Sequence, residues 1–114
     1  TELWRGVGSR SGYLVSKLDV GDICNDAAFQ SFSLDPHTAG NFARFYPEDV
    51  GEKGRLSKTI VRAVMSGDEK ALRGARGERE IIFKRDTSWQ VISKETIEPT
   101  PDTRFHIVTV MKHE

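Results

Sequence analysis

The closing third of the chain holds three short runs, Arg79–Lys84, Trp89–Lys94 and Phe105–Met111, in which apolar and polar side chains are interleaved in the manner of strands. A period of two is that of a half-buried strand, so this stretch is committed to sheet. Pro99 and Pro101 separate the last two runs. Strands that are half buried need a second layer, and the rest of the chain has to supply it. Leu3–Val7 reads as an opening strand, Phe29–Leu34 as a short alternating one, and Thr59–Met65 as a strand rich in β-branched residues.

Helical signals are few. Asp35-Pro36 marks a helix start, with Asp35 as N-cap and Pro36 at the first helical position, where its missing N–H costs nothing. That helix is expected to run to about Phe45, burying Ala39, Phe42 and Ala43, with Pro47 ending it. Glu69–Leu72 has room for one further turn. Gly8-Ser9-Arg10-Ser11-Gly12, Glu48–Gly54, Ser66-Gly67-Asp68 and Arg73–Gly77 read as loops, and Val20-Gly21-Asp22 as a tight bend before a short strand. The expected class is α+β: two mostly antiparallel sheets with one or two helices.

A chain of 114 residues makes one domain, 1–114, with a modest core. Its 37% hydrophobic and 30% charged residues place it among folded chains rather than disordered ones. No apolar run approaches the roughly 20 residues that span a bilayer, so no membrane partner is expected. The first residue is Thr1 and precedes a strand, from which we expect the C-terminal fragment of a larger protein. Cys24 is the single cysteine and excludes an internal disulfide. Net charge is zero, yet residues 52–86 hold 10 basic and 6 acidic side chains. Such a net +4 segment can face phosphates, although the overall balance speaks against a dedicated nucleic-acid binder.

Glu78-Arg79-Glu80 stands directly before Ile81-Ile82-Phe83. On a strand, two carboxylates one residue apart point the same way, about 7 Å from each other along the chain. Like charges so placed call for a cationic partner. Upstream lie Leu3-Trp4-Arg5-Gly6 and, between the two, Phe29-Gln30-Ser31-Phe32-Ser33. Arg, then Ser-x-Ser, then Glu-x-Glu, each on an expected strand, resembles the R-S-E class of mono-ADP-ribosyltransferases. The flanks Leu18–Ile23, Phe29–Leu34, Ala39, Phe42 and Thr87–Val91 extend the resemblance over nearly the whole chain.

The resemblance implies the ADP-ribosyltransferase fold, a split β-sandwich with a cleft for NAD, which serves as co-substrate without a metal. The nicotinamide of NAD leaves as a neutral molecule, so no general acid is required, unlike ordinary glycoside hydrolysis. A fixed carboxylate facing the oxocarbenium-like ribose stabilises the transition state more than the ground state. The resemblance gives that role to Glu80, and gives Glu78 the task of accepting a proton from, and pairing with, an arginine guanidinium. Arg5 would bind the dinucleotide's phosphates or an adjoining ribose, and Gly6 would let the backbone approach the nicotinamide amide. Ser31 would support Glu80 and the ribose, with Ser33 on the same face. An aromatic wall for the nicotinamide ring is expected from Phe32, Phe45 or Tyr46. The Arg73–Gly77 loop resembles the family's substrate-recognition loop but lacks an aromatic residue.

Other chemistries are poorly supported. His37, His106 and His113 are far apart and lack zinc-ligand spacing. Gly6-Val7-Gly8 lacks the third glycine and the helix of a Rossmann turn. The expected function is an NAD-dependent toxin or effector domain that is secreted or delivered into a target cell. It would modify a target protein on arginine, with a cognate immunity protein as a further partner. NAD hydrolysis, transfer to RNA, a phage-encoded enzyme and a binding module with a degenerate site stand as alternatives.

Overall fold

The computed structural model describes residues 2–24, 31–47, 56–65, 72–73, 80–82 and 87–113. In chain order the elements are β1 (Glu2–Gly6), α1 (Ser9–Ser16), β2 (Ile23–Cys24), β3 (Ser31–Ser33), α2 (Pro36–Phe42), β4 (Tyr46–Pro47), β5 (Leu56–Val64), β6 (Leu72–Arg73), β7 (Glu80–Ile82), β8 (Ser88–Thr100) and β9 (Thr103–His113). The nine strands join in one sheet of order β2-β8-β9-β5-β1-β3-β7-β6, with β4 beside β5. All pairs are antiparallel except β5 with β9, which run parallel from Leu56↔Thr103 to Val64↔Met111.

This sheet curls until its two halves face each other. β3 and β8 are four strand spacings apart in the order, about 19 Å if the sheet were flat. Yet the rings of Phe32 on β3 and Trp89 on β8 lie 5.3 Å apart, centroid to centroid. The two expected layers are therefore two halves of one mixed sheet. Between them lies the core of Leu3, Val7, Val15, Phe32, Val61, Ala63, Trp89, Val91, Val108 and Val110. β5 buries every second residue, which is the alternation its sequence carries.

Local chemistry accounts for the joints. Gly21 takes φ +98°, a conformation open to glycine, and the backbone N–H of Asp19 donates to Asp22 Oδ2 at 2.8 Å, closing the bend before β2. Pro99 falls inside β8 rather than between strands, where a register shift between Ile97 and Thr100 accommodates its missing N–H.

Several expectations are corrected. Ser9–Gly12, read as loop, open α1. Their low helix propensity is outweighed by burial, because Val15 enters the core and Gly12 lies against the Tyr46 ring, where a Cβ would come within 3.1 Å. Lys94 Nζ donates to the Ser16 carbonyl at 2.8 Å, placing a cation at the C-terminus of this helix. α2 stops at Phe42, and Phe42 is 69% exposed rather than in the core. The face toward β1 is taken by Ala39 and Ala43, whose backbone approaches too closely for a phenyl ring to intervene. Pro47 does not end the helix but lies in β4 opposite Leu56. Leu72 and Arg73, expected in a helical turn and a loop, pair with Ile82 and Ile81 as β6. The expected features at 48–55, 66–71 and 74–79 lie outside the described residues.

Candidate active site

The joint between β3 and α2 is held by its own side chains. Ser33 Oγ accepts from the backbone N–H of Asp35 at 3.0 Å. Asp35 in turn caps α2, its Oδ1 accepting from the His37 N–H at 3.0 Å and its Oδ2 from the Thr38 hydroxyl at 3.1 Å. With its oxygen held as an acceptor, the Ser33 hydroxyl retains one proton to donate.

Strand register sets the neighbours of this joint. Ser33 is opposite Glu80 on β7 and, on its other side, opposite Trp4 on β1; Ser31 is opposite Ile82. Trp4 is in turn opposite Arg62 on β5. Positions 80, 33, 4 and 62 thus form one row across four adjacent strands. Directly opposed residues share a sheet face, with Cβ atoms about 4.5–5.5 Å apart between neighbouring strands. Ser31, Ser33 and Glu80, taken from distant parts of the sequence, meet on two paired strands. Glu78 lies outside the described residues.

Arg5 occupies a different row. It stands between Leu3 and Val7, both buried, and opposite Val61, a residue of the core. Strand alternation therefore assigns it to the inner face of β1, while Trp4 and Ser33 share the outer one. It is half-buried, and its Nε is shielded from solvent. Gly6 meets α2: a Cβ there would run into the carbonyl oxygen of Ala39 and the amide nitrogen of Ala43. Helix packing by itself therefore demands glycine at this position.

The aromatic candidates separate clearly. Phe32 is 1% exposed and packed on Trp89, so its ring is spent on the core. Tyr46 is 4% exposed; its hydroxyl bonds to Thr59 Oγ1 at 2.7 Å, and Thr59 donates to the Gly12 carbonyl at 2.8 Å. Phe45 is 41% exposed, but Lys58 Nζ sits over its ring, 4.3 Å from the centroid. Trp4, half-buried in the row with Ser33, was absent from the sequence-derived candidates. A register cannot be read from one strand alone, so nothing in the local pattern set this residue apart.

Arg62, at the end of the row, has committed contacts. Its guanidinium lies 3.6 Å from Glu2 Oε1, and its Nε donates to Thr109 Oγ1 at 3.2 Å. Among the described residues no group of three or more His, Cys, Asp or Glu could hold a metal ion, and no helix is long and apolar enough to cross a membrane.

No protein-family profile and no curated protein matches the sequence. Solved structures do. Vis toxin, an ADP-ribosyltransferase from Vibrio splendidus, superposes with a TM-score of 0.63 at 21% identity, over 99% of this chain and 48% of that one. The fold is that of the ADP-ribosyltransferases. The complex of Vis with agmatine gives a TM-score of 0.62 at 19% identity, over 100% of this chain and 49% of that one. The type III effector XopAI from Xanthomonas axonopodis pv. citri gives 0.58 at 14% identity, over 99% and 41%. The chain thus spans about half the length of these solved structures. Within the ADP-ribosyltransferase fold, the curled sheet brings β3 and β7 side by side, which makes the Ser33–Glu80 row the candidate site.

Proposed function

We propose that this chain cleaves the nicotinamide–ribose bond of NAD and transfers ADP-ribose to an arginine side chain of a target protein. The observation that carries the reading is the pairing of Ser33 with Glu80 on adjacent strands of an ADP-ribosyltransferase fold. NAD is the substrate, and the residues present suit it: a serine hydroxyl with a proton to donate, a strand-borne carboxylate position and an aromatic residue in one row.

In this reading Glu80 holds the ribose 2′-hydroxyl and faces the positive charge that develops at C1′ as the C1′–N bond breaks. The bonding electrons stay with the nicotinamide nitrogen, so no proton is needed for departure. Glu78 binds the incoming guanidinium and takes its proton while the new C1′–N bond forms. Ser31 and Ser33 support Glu80 and the ribose through their hydroxyls. The Vis complex with agmatine, a small guanidinium compound, supports a guanidinium acceptor. Neighbours described as a toxin and an effector support a delivered domain acting on another cell's protein, held in check in its producer by an inhibitory partner.

The test is transfer from NAD to agmatine and to target-cell protein, read by mass spectrometry. We expect ADP-ribose on agmatine and on arginine side chains. Glu78→Gln should lose both transfers while still releasing nicotinamide by hydrolysis. Modification found only on RNA, or on residues other than arginine, would reject the arginine assignment.

A further inference from the structure

The geometry points to the free edge of β8 as a contact between two copies of this chain, which pair there as antiparallel strands about a twofold axis at Thr96. The inference is independent of the NAD reading. One side of β8 pairs with β9, from Ser88↔His113 to Thr100↔Thr103. Among the described residues its other side is taken only near the start. Ile23 and Cys24 of β2 pair with Gln90 and Trp89, and Val91 exchanges hydrogen bonds with Gly21 and Asp22 at 2.7 and 2.9 Å. No described strand lies against Ile92–Thr100 on that side, and Lys94 through Thr100 are all exposed. A row of unpaired N–H and C=O groups is a template for a further strand.

Extent and charge each select a second copy as the occupant, and both give the same register. An antiparallel copy of Ile92–Thr100 covers the whole free edge only when Ile92 meets Thr100 of the other copy, which sets Thr96 opposite itself. A slip one way drives the turn after Thr100 into β2, and a slip the other way leaves the edge uncovered. Lys94, Thr96 and Glu98 share the inner face of β8. Lys94 is opposite Val108 of the core, Thr96 Oγ1 bonds to His106 Nδ1 at 3.0 Å, and Arg104 Nε donates to Glu98 Oε1 at 3.2 Å. In the register centred on Thr96, Lys94 is opposite Glu98 of the other copy, and the twofold repeats the pair. Each Glu98 then stands between Arg104 of its own chain and Lys94 of the other. Centred on Lys94 or on Glu95, the strands would instead set two lysines or two glutamates against each other.

Charges on an edge ordinarily deter pairing; here they admit the strand's own sequence and work against strands that lack the complementary pattern. Thr96 and Ile97, both β-branched, suit a paired strand, and Ile97 is 47% exposed without one. The contact is short, at the low end of specific interfaces, so the dimer exchanges with monomer and its Kd is on the order of 10–100 μM. In the sheet order β9, β5 and β1 separate β8 from β3 and β7, so the contact does not use the strands of the candidate site.

The experiment is sedimentation velocity on the whole chain from about 5 to 500 μM, a range that brackets this Kd. We expect the average mass to rise from monomer toward dimer across it. Lys94→Glu and Glu98→Lys should each hold the protein monomeric, and the double reversal Lys94→Glu/Glu98→Lys should restore the dimer. Far-UV circular dichroism melts report that each variant folds. Register is read by disulfide trapping in a Cys24→Ser background. Thr96→Cys should give a covalent dimer in oxidised glutathione, because directly opposed Cα atoms lie about 4.5–5.5 Å apart, within disulfide reach. Glu95→Cys should not, since its counterpart is displaced by two residues, about 7 Å, along the strand. A monomer at every concentration overturns the proposal and leaves the edge to a different chain. A dimer indifferent to the charge reversals, or equal trapping at residues 95 and 96, also overturns it.

Discussion

Gly6→Ala should be among the most damaging single methyl additions this chain can receive. A Cβ at residue 6 would collide with the Ala39 carbonyl oxygen and the Ala43 amide nitrogen and would come within 2.9 Å of the Phe42 carbonyl carbon. All three obstacles are backbone, so no rotamer change relieves them, and α2 must lift from β1. Overpacking of this kind costs about 3 kcal/mol. Unfolding entropy near 2.1 cal/mol/K per residue gives about 240 cal/mol/K for 114 residues, so the melting temperature should fall by about 12 °C. Gly40→Ala is the matched control. It is also in α2, but a Cβ there meets nothing within 4 Å. Helix propensity alone should then stabilise the protein by about 0.5–1 kcal/mol, or about 2–4 °C. Thermal melts followed by far-UV circular dichroism read both. A Gly6→Ala melting temperature within about 2 °C of wild type would refute the close approach of α2 to β1.

Other substitutions probe separate links. Thr59→Val should cost about 1–3 kcal/mol in urea unfolding, because it removes the hydroxyl that joins Tyr46 to the Gly12 carbonyl. Added to Tyr46→Phe, its effect should be smaller than the sum of the two, since both act on one network. Asp35→Ala should cost about 1 kcal/mol through loss of the α2 cap. It also frees the turn that orients Ser33, so NAD turnover should fall by more than the stability change explains.

What could be read from the chain was mostly local. β9 followed from alternation, β5 from its β-branched content, β1 from its short apolar run, and α2 from the Asp35-Pro36 signal, because these depend on neighbouring residues alone. The bend at Gly21 was legible for the same reason. α1 was not, since Ser9–Gly12 favour a helix only once Gly12 meets the Tyr46 ring and Val15 finds the core. Phe42 was misplaced because an apolar residue on a helix reads as core, whereas here close backbone packing at Gly6 admits only small side chains. At the candidate site, residue types marked Ser31, Ser33 and Glu80. The row that joins Ser33 to Trp4 is a product of non-local pairing between β1 and β3, which one strand's pattern does not encode. That Arg5 and Ser33 belong to different faces of the sheet likewise emerges only from register.

In the proposed reaction a carboxylate on β7 beside Ser33 drives cleavage of NAD. Nicotinamide release, measured by chromatography from the folded wild type and from Glu80→Gln at matched concentration, tests it most directly. The wild type should release nicotinamide steadily, and the variant should lose that release by a factor on the order of 10²–10³, about 3–4 kcal/mol, with NAD binding retained. Equal release by the two proteins, or none by a folded wild type that binds NAD, would contradict it.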